Sequence, residues 1–275
     1  ETFDIIKKFV RGEAILFDNF REYLEETNLK EKPINVWRNK IKTCKFDCWD
    51  CNYCDKVWLA KGNKVDEKIS LVAKALVDSV NDCKVNDIEG LTSERTKKLL
   101  HSLGKLSTSY LEIGVLNGAT FCSVLKDNVL NAYAIDDWKN IVQASNGSTN
   151  IQSNKEKFVE NVQTFKGNNK VKLFDSHFLN VDKTNIDYID FMFYDADHSE
   201  DLTRASVTYF SDKFVDNTIL VFDDANFDGV VSGALKGIED SGLKILYQKI
   251  ILNEIEDSEQ WWNGLLIVVV ERNNK

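Results

Sequence analysis

The spacing of apolar and polar positions changes rhythm near residue 110. Upstream of it the spacing is helical. Ile5, Ile6 and Phe9 in residues 3–10, and Ile15, Phe17, Phe20, Tyr23 and Leu24 in residues 14–26, recur at helical intervals. Residues 66–82 read as an amphipathic helix through Ile69, Val72, Leu76 and Val80. A further helix follows Thr92 or Ser93, turns Leu99, Leu100 and Leu103 to one side and stops at Gly104. From Tyr110 onward, short apolar runs alternate with helical stretches: YLEIGV then ATFCSVL; NAYAI; VKLFD; IDFMFYD; TILVFDD then VVSGALKGI; LKILYQKII; and GLLIVVVE. This alternation predicts an α/β fold around a mostly parallel sheet covered on both faces. The last two runs are joined by NEIEDSEQWWN, which is too short for a full crossover, so they are expected to pair antiparallel at the end of the sheet.

Composition narrows the partners. The chain has 275 residues, 35 Lys+Arg and 44 Asp+Glu, for a net charge of −9, with 43% hydrophobic residues. That is the composition of an ordinary globular protein, with a length that allows one large domain or one domain plus an appendage. An acidic balance leaves no net basic footprint for a nucleic-acid backbone, so a nucleic-acid partner is not expected. No run of 18 or more apolar residues occurs, so no membrane span is expected. The opening ETFDIIKKFVRGEAILF carries charges throughout and does not read as a secretory signal. These features point to a cytoplasmic protein, and a homo-oligomer is compatible with them.

Residues 1–65 stand apart. They are rich in aromatics, contain the single proline, Pro33, and hold Cys44, Cys48, Cys51 and Cys54 in a C-x3-C-x2-C-x2-C run. Disulfides among four cysteines this close would close only tiny loops and constrain little of the unfolded chain. The cluster reads instead as a metal site. Zinc ribbons separate two ligand pairs by a dozen or so residues, whereas crowded thiolates resemble the local runs that hold iron–sulfur clusters. An iron–sulfur cluster, zinc and free thiols all remain open. Trp49, Tyr53 and Trp58 either shield such a site or form the core of a small lobe. The expected division is a Cys-rich helical lobe over 1–65 and a larger domain over 66–275.

Two groups of residues in the larger domain carry chemistry. YLEIGVLNGAT places Gly114 and Gly118 between a strand and a helix, where the backbone can turn tightly and approach a ligand near a helix N-terminus. The spacing G-x-x-x-G is not the dinucleotide fingerprint G-x-G-x-x-G, and a plain tight turn is an equal reading. The next strand ends about twenty residues on, at Asp136, which can hold a ribose diol or cap a helix. The second group is acidic. FYDADHS ends one strand with Asp195, Asp197 and His198, and VFDDAN ends the next with Asp223, Asp224 and Asn226. Carboxyl ends of adjacent parallel strands face one crevice, and three carboxylates there suit Mg²⁺ or a similar hard cation. Each acid alone reads more simply as a helix cap or a solvated group. His198 reaches the same crevice and can take a proton near neutrality. His101 and His177 have no comparable setting.

Residues from about 90 to 271 resemble class I S-adenosylmethionine-dependent methyltransferases. YLEIGVLNGAT resembles their first motif, and the resemblance implies that Glu112, Gly114 and Gly118 line the cofactor, that Asp136 holds its ribose and that Asp175 and Ser176, in LFDSHF, pack on the adenine. It implies a Rossmann-like seven-stranded methyltransferase sheet with helices on both faces and an antiparallel C-terminal strand pair. DFMFYDADHSED and VFDDAN are similar to the metal motifs of cation-dependent caffeoyl-coenzyme A and catechol O-methyltransferases, which gives Asp195, Asp223 and Asp224 a metal-binding role. The base of that family is a Lys three residues after the first metal Asp; His198 stands there instead, as in macrocin-type sugar O-methyltransferases, which WWNGLLIVV also resembles. The expected activity is therefore cation-dependent O-methylation of a small-molecule hydroxyl, on a sugar or a secondary metabolite, with S-adenosylmethionine as donor and Asp195 and His198 catalytic. The alternatives are a metal-independent N- or C-methyltransferase, and an iron–sulfur or zinc module on a methyltransferase-like scaffold. Cys44, Cys48 and Cys51 also match the spacing of radical S-adenosylmethionine enzymes, but no barrel pattern follows.

Overall fold

A computed structural model describes residues 64–80, 84–139, 151–253 and 259–272. The helical segments expected in 3–10 and 14–26, and the cluster Cys44, Cys48, Cys51 and Cys54, lie outside them. The chain divides into two compact units, Glu1–Glu67 and Lys68–Lys275. Apart from the first turn of α1, the described elements belong to the second.

In chain order these are α1 (Lys64–Asp78), α2 (Glu94–Gly104), β1 (Ser109–Ile113), α3 (Ala119–Leu125), β2 (Asn131–Asp136), α4 (Ile151–Phe165), β3 (Lys170–Asp175), β4 (Ile189–Tyr194), α5 (Glu200–Phe210), β5 (Phe214–Asp223), α6 (Asp228–Asp240), β6 (Leu243–Ile251) and β7 (Leu265–Arg272). The seven strands form one sheet in the order β3-β2-β1-β4-β5-β7-β6. β7 slots between β5 and β6 and runs antiparallel to both, which makes it the single reversed strand. The expected α/β sheet with an antiparallel final pair is the fold observed.

Sequence explains most boundaries. Ser93 caps α2 by accepting from the Thr96 amide. α1 ends four residues before the expected position, because the Ser79 hydroxyl bonds the Leu76 carbonyl at 2.5 Å and competes with the helical pattern. The apolar rhythm does not single out α4 or α5. In α4 the buried positions are Phe158 and Val162, diluted by Gln, Asn, Lys and Glu.

The sheet has a core on each face. Tyr110, Phe191, Phe193, Ile219, Val221, Leu265 and Ile267 point to one side, against Val72, Leu99, Leu100, Phe121 and Phe158 of α1 to α4. Their neighbours Leu111, Met192, Tyr194, Leu220, Phe222, Leu266 and Val268 point to the other, against Val207 and Phe210 of α5 and Ala234 and Ile238 of α6. This is why these strands read as continuous apolar runs: alternate side chains are buried on opposite faces. Each fully buried Phe or Met adds roughly 1.5–3 kcal/mol.

α5 and α6 meet backbone to backbone. A Cβ on Gly229 would lie 2.6 Å from the His198 carbonyl oxygen, one on Gly233 would lie 2.4 Å from that of Glu200, and one on Gly237 would lie 2.8 Å from that of Arg204. Three glycines at four-residue spacing form a smooth stripe along α6, and the loop bearing His198 rests on its first turn. Gly233→Ala should therefore destabilise the protein by about 1–3 kcal/mol, although alanine is the better helix former by about 1 kcal/mol. Denaturant titration should show a lower midpoint with an unchanged slope, and a midpoint at or above wild type would contradict the close helix contact.

Candidate active site

The site lies at the carboxyl ends of β1, β2, β4 and β5. β1 stops because Gly114 takes φ +88°, and the Gly114 amide donates to the Ile135 carbonyl at 2.9 Å. A Cβ at Gly114 would fall 1.8 Å from the Asp195 carbonyl oxygen, so the end of β4 occupies the space a side chain would need. Glycine here serves the close approach of two strand ends as well as the turn. Gly118, at φ +89°, opens α3 with a left-handed residue, and a Cβ there would meet the Phe158 ring at 3.1 Å.

Glu112 is fully buried. One carboxylate oxygen accepts from the Thr120 hydroxyl at 2.6 Å, and the other accepts from the Tyr110 hydroxyl. Burial outweighs both donors and pushes its pKa up to about 8. As placed, Glu112 exposes no atom to a ligand and braces β1 against α3.

Asp136 does most to shape the turn after β1. Its Oδ2 accepts from the Val115 and Leu116 amides, each at 2.9 Å, and its Oδ1 accepts from the Trp138 amide at 2.7 Å. Leu116 (φ +46°) and Trp138 (φ +51°) are both left-handed, and the Trp138 indole donates to the Leu116 carbonyl at 2.7 Å. The carboxylate thus ties together two loops and holds their left-handed residues in place. Burial pushes its pKa up against the pull of these three amides. Asp175 pairs in register with Asp136 across β2 and β3, carries an ion pair with Lys155 and is exposed; Ser176 follows it, half-buried.

The acids of β4 and β5 lie beside this turn. The Asp195 amide donates to the Ile113 carbonyl at 2.9 Å, which fixes the end of β4 against β1. Burial, and then the neighbouring Asp223 and Asp224, push the Asp195 pKa upward. Asp223 is raised in the same way, by burial first and Asp224 second; its Oδ1 accepts from the Asp224 amide and its Oδ2 is buried without a partner. Asp224 leaves the strand at φ +59°. Its Oδ2 lies 2.7 Å from His198 Nε2, and its Oδ1 accepts from the Asn263 side-chain amide at 2.6 Å. The bond to Asp224 raises the His198 pKa despite partial burial. The imidazole stacks on Phe227 with centroids 4.7 Å apart and stays 44% exposed, so a donor atom of another molecule can reach it.

The structure therefore brings Asp195, Asp223, Asp224 and His198 to one place, with Glu112, Gly114 and Asp136 alongside. Among the described residues, no group of three or more His, Cys, Asp or Glu side chains is arranged to hold a metal ion. Two features of the donor set nevertheless fit a hard cation: a buried carboxylate oxygen without a partner, and carboxylates whose mutual repulsion a cation would relieve. Asn263 was not a candidate from sequence. It lies 39 positions from Asp224, and only the β5–β7 pairing brings the two together. His101 sits between helices, its Nδ1 3.1 Å from the Ser123 carbonyl, and His177 caps a short 3-10 turn.

Residues 111–225 match a family model described as a methyltransferase domain. This segment is a methyltransferase domain. The match contains Glu112, the glycine turn, Asp136, Asp195, His198, Asp223 and Asp224. Solved structures are similar at low identity. An O-methyltransferase from Bacillus cereus in complex with SAH is 15% identical, with 80% of this chain and 96% of that one covered at a TM-score of 0.46. The O-methyltransferase TomG from Streptomyces achromogenes, involved in tomaymycin synthesis and in complex with SAM, is 15% identical over 77% and 91% of the two chains, at 0.47. A putative RNA methyltransferase from Pyrococcus horikoshii is 12% identical over 73% and 98%, also at 0.47. No curated protein sequence matches the chain. Among the described residues, no helix is long and apolar enough to cross a membrane.

Two properties of the methyltransferase domain can be measured without knowing its substrate. Because the folded state raises the Glu112 pKa, its contribution to stability is complete below the usual carboxylate range and is lost as pH rises toward about 8. Unfolding free energy should fall across that window, by up to about 1.4 kcal/mol per pH unit from this one group. Glu112→Gln should make the slope shallower; an unchanged slope would place the proton elsewhere. Asp136→Ala should lower stability in the absence of any ligand by about 1.5–3 kcal/mol, as charge-assisted bonds to three amides are lost. Thermal melting of the ligand-free variant checks this, and a wild-type melting curve would show that the turn holds without Asp136.

Proposed function

We propose that the domain transfers a methyl group from S-adenosylmethionine to a hydroxyl oxygen of a small molecule. The observation that carries this reading is a half-exposed His198, oriented by Asp224, beside half-buried Asp195 and buried Asp223 and one strand away from the glycine turn. The cofactor would lie along the ends of β1, β2 and β3, over Gly114 and Gly118, with Asp136, Asp175 and Ser176 on its nucleoside side and Glu112 behind the turn. In the reaction the methyl carbon leaves the sulfonium sulfur and bonds to the acceptor oxygen. The C–S electron pair stays on sulfur as a neutral thioether, and the hydroxyl proton goes to His198. Neutral His198 donates Nε2–H to Asp224, which leaves Nδ1 as the basic nitrogen. Alignment of donor and acceptor supplies most of the acceleration in such a displacement.

Asp195 and Asp223 are the residues that would hold a divalent cation. Asp224 joins them only if its Oδ2 leaves His198. A bound cation would lower the acceptor hydroxyl's pKa and orient it. Metal-independent methyl transfer is the second reading, and the observation that favours it is that both Asp224 oxygens are already engaged.

The test is release of S-adenosylhomocysteine on incubation with S-adenosylmethionine and a panel of hydroxylated small molecules. His198→Ala should lower turnover by about 10²–10⁴-fold while calorimetry finds S-adenosylhomocysteine bound as in wild type. EDTA should abolish turnover, and Mg²⁺ or Mn²⁺ should restore it. Activity indifferent to EDTA removes the cation and leaves the metal-independent reading; a His198→Ala variant with full turnover removes the base.

A further inference from the structure

We infer that Asn263 is a positioning residue for the reaction, acting on His198 through Asp224. The inference rests on the reading of His198 as the base. A carboxylate can only accept, so the 2.6 Å contact with Asp224 Oδ1 fixes the Asn263 amide with its NH₂ toward Asp224. Asp224 then has one oxygen held by Asn263 and the other on His198, and its carboxylate plane cannot turn without breaking one of these bonds. That is the arrangement of base, orienting carboxylate and a third polar group that fixes an imidazole in one tautomer.

Asn263 is itself immobilised. It is buried, and its carbonyl accepts from the Asn226 amide at 2.9 Å. The Ala225 amide donates to the Gly264 carbonyl at 3.2 Å, so the segment after β5 is laced to the segment before β7. The Asn226 side chain clamps Asn253, donating to its carbonyl at 2.8 Å and accepting from its amide at 3.2 Å. Asn253 in turn donates to the Trp262 carbonyl at 2.7 Å. Gly264 is left-handed (φ +83°), and a Cβ there would lie 2.4 Å from the Ile251 carbonyl oxygen, so the turn into β7 has no room to shift. Three asparagines thus hold the left-handed Asp224 from outside the strand that carries it. No ligand is needed to explain the network; its effect is to set the direction of one carboxylate.

The experiment reads the His198 tautomer directly, without substrate. The chain has only three histidines, His101, His177 and His198, so nitrogen-15 correlation spectra of the imidazoles can be assigned with a His198→Gln variant. Spectra are taken on the full chain, EDTA-treated, at a pH where the rings are neutral. Wild type should show His198 with Nε2 protonated and Nδ1 bare. Asn263→Asp keeps the shape but replaces the donor with a like charge. It should draw the two nitrogen shifts of His198 toward each other, as in a mixture of tautomers, and leave those of His101 and His177 in place. Asn263→Ala should do the same to a smaller extent, and it carries the test if the Asp variant does not fold. Wild-type His198 shifts in a folded Asn263 variant would overturn the inference. Calorimetry with S-adenosylhomocysteine keeps this separate from the underlying proposal: failure of wild type to bind it sinks the methyl-transfer reading, whatever the His198 spectrum shows.

Discussion

The local structure of this domain is governed by the need to keep carboxylates together away from water. Glu112, Asp136, Asp195, Asp223 and Asp224 all come from one end of the sheet, and burial and neighbouring acids act on the first four in the same direction, raising the pKa. Each acid is accommodated differently. Glu112 has two hydroxyl donors, Asp136 has three backbone amides, and Asp224 has an imidazole and an amide. Asp223 has one amide and an oxygen with no partner. The fold is therefore least satisfied where β4 and β5 end, and the chemistry proposed for this protein falls at that place. Buried like charges cost stability unless something compensates them, and functional sites are where proteins tolerate such a cost.

Much of the architecture was legible in the chain. Strands buried on both faces leave unbroken apolar runs such as IDFMFYD and GLLIVVVE, and punctuation at Gly114, Asp136, Asp195 and Asp224 marks where each one ends. The sheet's reversal at β7 was legible from the short connection before it. α4 and α5 were harder to see, because each buries only a narrow stripe and shows polar residues elsewhere: Phe158 and Val162 in one, Val207 and Phe210 in the other. The acids and His198 were visible as strand-end motifs because local sequence carries them.

What local sequence could not carry was who holds whom. Asp136 was expected to wait for a ribose; in the fold it already braces the turn after β1, and any ribose must share it. Gly114 was expected to let a ligand approach; in the fold its missing side chain also admits the Asp195 carbonyl. Asp224 was expected among metal ligands, yet both its oxygens have protein partners. Asn263 stood inside the WWNGLLIVV motif, but nothing there pointed to Asp224, since that contact depends on pairing between β5 and β7 and on a turn held by Asn226 and Asn253. Partnerships across the sheet are fixed by topology, and a one-dimensional reading sees the groups without their pairings.

The glycine stripe of α6 has one more consequence. His198 and Asp224 reside on separate loops, and the first of these loops rests on the opening turn of α6, at Gly229. Hard contact between main chains sets that spacing, with no side chain as intermediary. Divergence on the outward faces of α5 and α6, at positions such as Asp201, Thr208 or Glu239, can then accumulate without altering the separation of imidazole and carboxylate. Homologues should vary freely there while keeping small residues along the stripe, so the distance between imidazole and carboxylate is inherited through an absence of side chains.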